Sequence, residues 1–242
     1  MAHSRQDKER VSGPVILALE TATMCGSVAL VAENRCLAEF SLQTGVTHSR
    51  RLLAGIDWLL QETGIGRDTI DAVAVSLGPG SFTGLRIGLA SAQGLTMALG
   101  IRLIGVGTLD GLAAQVAGAE TSLVCPVLDA RKKEVYCGLY RKNPEGVAQL
   151  RQDYMVLRPE DLCNAITEPV LLLGDGAAAY AGLFRERLAG LASILPAALY
   201  FPRAASIGML ALAKWQRKEF LDPAGVQPIY VRPSEAELLF GR

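Results

Sequence analysis

The sequence predicts an α/β protein of two similar lobes, each containing a mixed sheet with helices. Apolar runs typical of strands alternate with helical segments along the chain. The second half repeats the first in outline, with antiparallel strands, a helix, a strand, a glycine turn and another helix. Glycine turns follow predicted strands at Gly78-Pro79-Gly80 and at Gly174-Asp175-Gly176. We expect these turns to line a cleft where the two halves face each other.

The order of predicted elements supports this division into halves. In the first half we expect strands at 15–20, 27–31 and 35–42, a helix at 48–62, a strand at 73–76, a helix at 83–99, a strand at 102–106 and a helix at 108–116. In the second half we expect strands at 123–128, 134–140 and 148–156, a helix from Pro159, a strand at 170–173, and helices at 177–188 and 204–219. Residues 228–233 are expected to be extended.

These elements define the expected domains. Residues 1–12 are charged and are predicted to be a flexible N-terminus. The first lobe spans residues 13–107 and is completed by the helix at 204–219. The second lobe spans 108–203, and an extended tail occupies 220–242.

The composition narrows the class of protein. The chain has 242 residues, is 50% hydrophobic and carries a formal net charge of zero, which argues against a broad nucleic-acid surface. No apolar stretch is long enough for a membrane helix, and the polar start lacks a signal-peptide pattern. The cysteines lack Cys-x-x-Cys spacing and are expected to be reduced thiols: Cys25, Cys36, Cys125, Cys137 and Cys163. We therefore expect a soluble cytoplasmic protein.

A glycine-rich loop follows the strand that ends at Ser76. Glycines permit backbone angles that a Cβ forbids, and the helix that follows, capped by Ser81 or Thr83, would present N–H groups suited to phosphate. The spacing fits neither a Walker loop nor a dinucleotide fingerprint. A structural turn and a phosphate or nucleotide loop both remain open. The candidate residues are Gly78, Pro79, Gly80, Ser81, Phe82, Thr83 and Arg86.

The helix at 83–99 is unusually poor in charge. Arg86 is the only charged residue between Thr83 and Ile101. A helix that is apolar all round needs cover on every side, either as a central core helix or against a partner. Gly84, Gly88 and Ser91 share one face at helical spacing and would allow another helix to approach closely. The pattern favours a partner interface.

Catalytic and metal-binding patterns are missing. The only histidines are His3 and His48, and neither Arg51 nor Leu52 could complete a metal pair with His48. Glu20, with Thr21 and Thr23, could bind a phosphate-linked magnesium ion or be a solvated cap. We therefore predict no catalytic residues and no metal site.

Several stretches together resemble the bacterial TsaB (YeaZ) family. They are LETAT at 19–23, HSRRLL at 48–53, GPGSFTGLRIG at 78–88, DAR with EVY within 129–136, and PIYVRPSEAE at 228–237. The resemblance covers nearly the whole chain from Val15. It implies an actin-like (ribonuclease H-like) two-lobed fold and a role in making threonylcarbamoyladenosine at position 37 of tRNAs that read ANN codons.

The resemblance also implies partners. A TsaD-like subunit would carry the metal and the catalysis, a TsaE-like ATPase would join, and tRNA would be contacted indirectly. Pairing would use the helices at 48–62 and 83–99, with a self-dimer when the partner is absent. The residues expected at this interface are His48, Arg51, Leu52, Ile56, Gly84, Gly88, Ser91 and Leu95. No cofactor is expected to bind tightly, although ATP or ADP could bind weakly at the partner interface.

Comparison with the family's catalytic relatives supports the scaffold role. The His-x-x-x-His pair of TsaD is broken here, because Leu52 follows His48 at that spacing. The aspartate that usually follows the first strand of actin-like ATPases is Glu20. Two alternatives remain: an actin-like ATPase or small-molecule kinase with its own nucleotide turnover, and a glycoprotease-like metallopeptidase.

Overall fold

A computed structural model describes residues 12–43, 48–116, 123–143 and 146–232, with the side chains of 48–51 excepted. The strands are β1 (Ile16–Glu20), β2 (Cys25–Ala32), β3 (Arg35–Gln43), β4 (Ala72–Ser76), β5 (Arg102–Val106), β6 (Leu123–Asp129), β7 (Val135–Cys137), β8 (Tyr140–Lys142), β9 (Ala148–Leu150), β10 (Met155–Leu157), β11 (Val170–Leu173) and β12 (Ala192–Ile194). The helices are α1 (His48–Thr63), α2 (Phe82–Leu99), α3 (Thr108–Ala113), α4 (Pro159–Ala165), α5 (Asp175–Ala179), α6 (Ala181–Arg187) and α7 (Ala204–Gln216). A short 3₁₀ helix occupies Arg67–Thr69.

The first sheet has the strand order β3-β2-β1-β4-β5. β1, β2 and β3 are antiparallel neighbours, whereas β1, β4 and β5 run parallel. Because Leu19 pairs with Val75 in β4, the next residues, Glu20 and Ser76, end their strands side by side. This edge of the sheet carries both the turn after β1 and the glycine-rich loop after β4.

Helices cover both faces of the first sheet. Leu52, Ile56 and Leu59 of α1 share one apolar core with Leu89 of α2 and the side chains of alternate strand residues. On the other face, α7 packs Ile207 and Ala211 against β1, β2, β4 and β5. The backbone N–H of Ala204 donates a hydrogen bond to the Ser27 hydroxyl at 2.8 Å, which fixes the start of α7 on the first sheet.

The second sheet has the order β10-β7-β6-β11-β12, with β8 paired to β6 and to β9. β6, β11 and β12 are parallel, and the β6–β7–β10 side is antiparallel. Phe184 of α6 and Leu162 of α4 are buried against it. α3 joins the halves, because its Leu109 and Leu112 pack with Val124 and Leu173 of the second sheet. The α/β architecture with a mixed sheet in each half is therefore confirmed.

Several predicted elements are divided in the structure. The helix expected at 177–188 is two helices, because Tyr180 leaves the helical region with φ −108° and ψ 21°. The strand expected at 148–156 is β9 and β10, and the strand expected at 134–140 is interrupted at Gly138. A Cβ at Gly138 would lie 2.9 Å from the Tyr140 ring. The short strand β12 was not predicted, since three half-exposed residues give no period to detect.

α2 begins one residue earlier than predicted, at Phe82. Of the two expected caps, Ser81 and Thr83, the structure uses Ser81, because the Ser81 hydroxyl accepts a hydrogen bond from the N–H of Gly84 at 3.2 Å. Gly100 ends the helix with φ 66°. Within the described ranges, no helix is long and apolar enough to cross a membrane.

Candidate functional site

A cavity of about 790 Å³ lies between the two lobes. The first lobe contributes the turn at 22–24 and residues 79–83 with Arg86, and the second contributes 128–132, Tyr136 and Asp175. Residues 229–232 also line it. The cleft expected from the two glycine turns is therefore present. Of the seven loop candidates, all but Gly78 line the cavity.

The loop glycines are required by close contacts within the chain. A Cβ at Gly80 would stand 2.5 Å from the carbonyl oxygen of Ala22, and Ser81 donates its N–H to that oxygen at 2.7 Å. Gly78 has φ 115°, and a Cβ there would lie 2.8 Å from the carbonyl oxygen of Ile229. These contacts support a structural role for the glycines. The groups that could contact a ligand are therefore the side chains of the loop and the N–H groups at the start of α2.

Charged side chains of both signs line the cavity. The cations are Arg86, Arg131, Lys132 and Arg232, and the carboxylates are Asp129 and Asp175. The guanidinium of Arg86 lies 3.9 Å from the centroid of the Phe82 ring, and its Nε donates to the Tyr230 hydroxyl at 3.2 Å. This excess of cations suits an anionic ligand.

The two carboxylates are both engaged. Asp129 accepts hydrogen bonds from the backbone N–H and the guanidinium of Arg131, at 2.8 and 3.1 Å. Asp175 Oδ1 accepts the backbone N–H of Asp129 at 3.1 Å, and burial raises the pKa of Asp175. The acids therefore organise the turn after β6. Arg131 belongs to a run of three residues with positive φ in that turn.

Glu20 is completely buried at the end of β1. Its Oε1 accepts hydrogen bonds from the N–H of Ala22 at 2.6 Å and from the Ser76 hydroxyl at 3.0 Å. Its Oε2 has no hydrogen-bond partner among the described residues. Burial raises the pKa of Glu20 from 4.5 to about 7. The expectation of a solvated cap is therefore wrong, because no part of the side chain reaches solvent.

Several residues expected at a partner interface face the interior. Leu52 and Ile56 are buried in the core of the first lobe. Gly84 and Gly88 are buried against Thr21, since a Cβ at either position would stand 2.1 or 2.2 Å from a Thr21 oxygen. These four placements correct the sequence-based expectation. The side chains of the other α1 candidates, His48 and Arg51, lie outside the described residues.

The opposite side of α2 is not covered by any part of the chain that the structure describes. It consists of exposed and half-buried uncharged residues, which we call the outer face of α2: Ile87, Ala90, Ser91, Gly94, Leu95, Met97 and Ala98. Met97 is 75% exposed, and on neighbouring α1 Leu53 is 54% exposed. The alternative of a central core helix covered on every side is therefore wrong. Two of the predicted interface residues, Ser91 and Leu95, belong to this face.

Sequence reasoning missed two of the most exposed apolar side chains, Leu53 and Met97. In the sequence, Leu53 looks like part of the buried stripe of α1, because leucines at neighbouring positions extend that stripe. Trp58 of α1 is also half-exposed, and its ring centroid lies 5.6 Å from that of Phe40. Within the described ranges, no group of three His, Cys, Asp or Glu residues could hold a metal ion.

Comparison with known proteins gives a consistent assignment. A family model described as "TsaD: tRNA N6-adenosine threonylcarbamoyltransferase" matches residues 43–239. The "tRNA threonylcarbamoyladenosine biosynthesis protein TsaB" of Bacillus subtilis is 30% identical over 224 residues, covering 92% of this chain and 96% of the relative. The protein of the same name from Escherichia coli is 31% identical and covers 91% of this chain and 96% of its own length.

Solved structures agree with these relatives. YeaZ from Pseudomonas aeruginosa superposes with a TM-score of 0.76 at 32% identity, covering 90% of this chain and 99% of that chain. Component A of (R)-2-hydroxyglutaryl-CoA dehydratase from Acidaminococcus fermentans superposes with a TM-score of 0.52 at 11% identity, covering 84% of this chain and 99% of that chain. The second likeness concerns the fold alone and supports the actin-like architecture. Since relatives at 30% identity or more match over nearly their whole length, the chain belongs to the TsaB (YeaZ) family.

Proposed function

We propose that this chain is a non-catalytic scaffold subunit that activates threonylcarbamoyl transfer to adenosine 37 of tRNAs reading ANN codons. It dimerises with a TsaD-like catalytic subunit, helps to recruit a TsaE-like ATPase, and touches tRNA only through that complex in the cytoplasm. Alone, it pairs with a second copy of itself. The observation that carries the proposal is the uncharged outer face of α2, in a chain of the TsaB family.

The chemistry of this face suits burial against another helix. Ala90 and Gly94 are small and one helical turn apart, so a second helix can approach the α2 backbone closely. The hydroxyl of Ser91 already donates to the carbonyl oxygen of Ile87 at 2.8 Å, so its burial leaves no donor unpaired. Met97 supplies an adaptable apolar side chain that is 75% exposed. A contiguous uncharged face of this kind is typical of interfaces.

A weakly bound ATP or ADP at the partner interface is part of the proposal. Arg86 lies near the start of α2, lines the cationic cavity and directly precedes the outer face of the same helix. A phosphate held near Arg86 would therefore lie beside a docked partner. We expect weak binding by the chain alone, because Arg86 is engaged with Tyr230 and Phe82.

The test is reconstituted tRNA modification with the TsaD-like and TsaE-like partners. Ala90→Asp places a charge on the outer face of α2, and we expect it to reduce threonylcarbamoyladenosine formation by about tenfold or more because an unpaired charge would be buried. Ala213→Asp is the matched control, because Ala213 is also an exposed alanine, on α7. Full activity of the Ala90→Asp variant in the complex would reject the proposal.

The second candidate function is an actin-like ATPase or small-molecule kinase, which the excess of cations in the cavity favours. It requires nucleotide turnover by the isolated chain. Glu20 argues against it, because a completely buried carboxyl group is poorly placed to hold a magnesium ion. Turnover by the wild type that Arg86→Gln abolishes would establish this alternative.

A further inference from the structure

The segment from Ile229 to Arg232 runs between the two lobes along the cavity. The chain that leads to it lies beside α2, where the Gln93 side chain donates to the carbonyl oxygen of Pro223 at 2.6 Å. All four residues of the segment line the cavity. Three peptide steps extend about 10 Å at most, so the anchoring points at the two ends of this segment must lie close together.

The first end is fixed to the first lobe. Ile229 donates its N–H to the carbonyl oxygen of Leu77 at 2.7 Å, just beyond β4. The Tyr230 ring lies 5.5 Å from the Phe82 ring, and its hydroxyl accepts the Arg86 hydrogen bond. Phe82 and Arg86 belong to the first turns of α2, so this end of the segment holds the start of that helix.

The other end is fixed to the second lobe. Arg232 forms an ion pair with Glu134, and its guanidinium also donates to the carbonyl oxygen of Ala130 at 2.7 Å. Both acceptors belong to the turn between β6 and β7. The side chains of Arg232 and Glu134 are 23% and 32% exposed. An ion pair that water can reach contributes little stability, so it can open reversibly.

A separate apolar connection between the lobes is made through α3. Leu112 packs in the core of the second lobe, and Gly111 lies close to Ile207 of α7. The N–H of Thr108 donates to the carbonyl oxygen of Gly78 at 2.8 Å. The lobes are thus joined by a buried contact at α3 and by a polar, partly exposed contact at residues 229–232.

We propose that residues 229–232 form a releasable clasp across the cleft. While Arg232 is bound to the β6–β7 turn, the clasp sets the separation of the lobes and orders the first turn of α2. When Arg232 is released, the lobes separate about α3, the cavity opens, and the start of α2 loosens. The proposal concerns the isolated chain and holds whether or not the assembly proposed above forms.

Two measurements on the full chain test the clasp. Hydrogen exchange follows the backbone of residues 78–86, and a spin-label distance follows lobe separation. Labels are placed at the exposed positions Gln61 and Glu186, after the exposed Cys36 is replaced by serine. Arg232→Gln is expected to accelerate exchange in this segment by about threefold and to lengthen or broaden the distance.

Two further variants make the result specific. Glu134→Gln removes the same ion pair from the other lobe and should reproduce both changes. Arg35→Gln removes an exposed ion pair with Glu33, remote from the cleft, and should produce neither. If the Arg232→Gln and Glu134→Gln variants both match the Arg35→Gln variant in exchange and distance, the clasp is rejected.

Discussion

The two sides of α2 use the same kinds of residue for different purposes. On the inner side, Gly84 and Gly88 lie against Thr21, where not even one methyl group fits. On the outer side, Ala90 and Gly94 are exposed, and within the described part of the chain nothing lies within 4 Å of where a Cβ of residue 94 would stand. Small residues at helical spacing thus indicate close approach, but they do not say what approaches. Here one row packs within the fold, and the described residues leave the other row exposed.

The largest expected change in the free energy of unfolding comes from adding a side chain on the inner side of α2. Gly84→Ala would place a Cβ 2.1 Å from the carbonyl oxygen of Thr21, so α2 or the turn after β1 must move. We expect a loss of about 3 kcal/mol or more in the free energy of unfolding, because backbone atoms cannot rotate away. Urea denaturation followed by circular dichroism measures it. A loss below about 1 kcal/mol would show that the contact is easily relaxed.

The buried carboxyl group of Glu20, at the end of β1, should change the free energy of unfolding by a similar amount in a pH-dependent way. Because the pKa of Glu20 is raised from 4.5 to about 7, the folded chain binds a proton more tightly than the unfolded chain. The contribution of Glu20 to the free energy of unfolding is therefore complete below pH 4.5, and it is lost as the pH rises to about 7. Glu20→Gln cannot ionise and should gain about 3 kcal/mol relative to wild type between pH 4 and pH 8.

Parallel urea titrations of wild type and Glu20→Gln at the two pH values measure this difference. The glutamine oxygen can still accept from Ala22 and Ser76, so the geometry of the turn is preserved. Asp71→Asn is the control. The Asp71 carboxylate also accepts a hydrogen bond from a backbone N–H, that of Val15, so this variant makes the same chemical change at another site. A Glu20→Gln difference that does not change with pH would mean that the carboxyl group titrates normally.

A smaller effect is expected at Thr21. Its hydroxyl donates to the carbonyl oxygen of Gly84 at 2.8 Å and thereby joins the turn to the inner side of α2. Thr21→Val keeps the shape and removes the donor, and we expect it to cost about 1 kcal/mol in thermal or urea unfolding. Thr21→Ser retains the hydroxyl and should recover most of the lost hydrogen-bond energy. Equal losses in both variants would assign the effect to the methyl group instead.

The smallest expected change in the free energy of unfolding is a gain, and it comes from Gly94→Ala on the outer side of α2. Gly94→Ala adds a methyl group where the described chain leaves open space, and alanine is the better helix former. We expect a gain of about 0.5–1 kcal/mol in the free energy of unfolding, measured as for Gly84→Ala. A destabilised Gly94→Ala monomer would show that the outer side is also packed within the chain.

The sequence predicts the order of elements in this fold because strand and helix periods differ clearly along most of the chain. It also narrows the cap of α2 to Ser81 or Thr83, because capping depends only on neighbouring residues. It cannot orient the glycines of α2, because the Thr21 that they contact is brought there by the pairing of β1 with β4. The contact of Arg86 with Tyr230 joins residues 144 positions apart, and no local pattern signals it.

Nothing in the sequence indicates that Glu20 is buried. A carboxylate followed by Thr21 and Thr23 has the pattern of an exposed turn, and the structure instead encloses it between strand ends. The lack of charge in α2 drew attention to this helix, but it could not tell its buried side from its exposed side. Only the placement of α2 on the sheet separates Gly84 and Gly88 from Ala90 and Gly94.

The central claim is that the outer face of α2 is an interaction surface. Size-exclusion chromatography with light scattering tests it most directly, on this chain alone and mixed with a TsaD-like partner. We predict a self-dimer that converts to a heterodimer when the partner is added, and a monomer for Ala90→Asp in both samples. A wild-type chain that stays monomeric and ignores the partner would contradict the account.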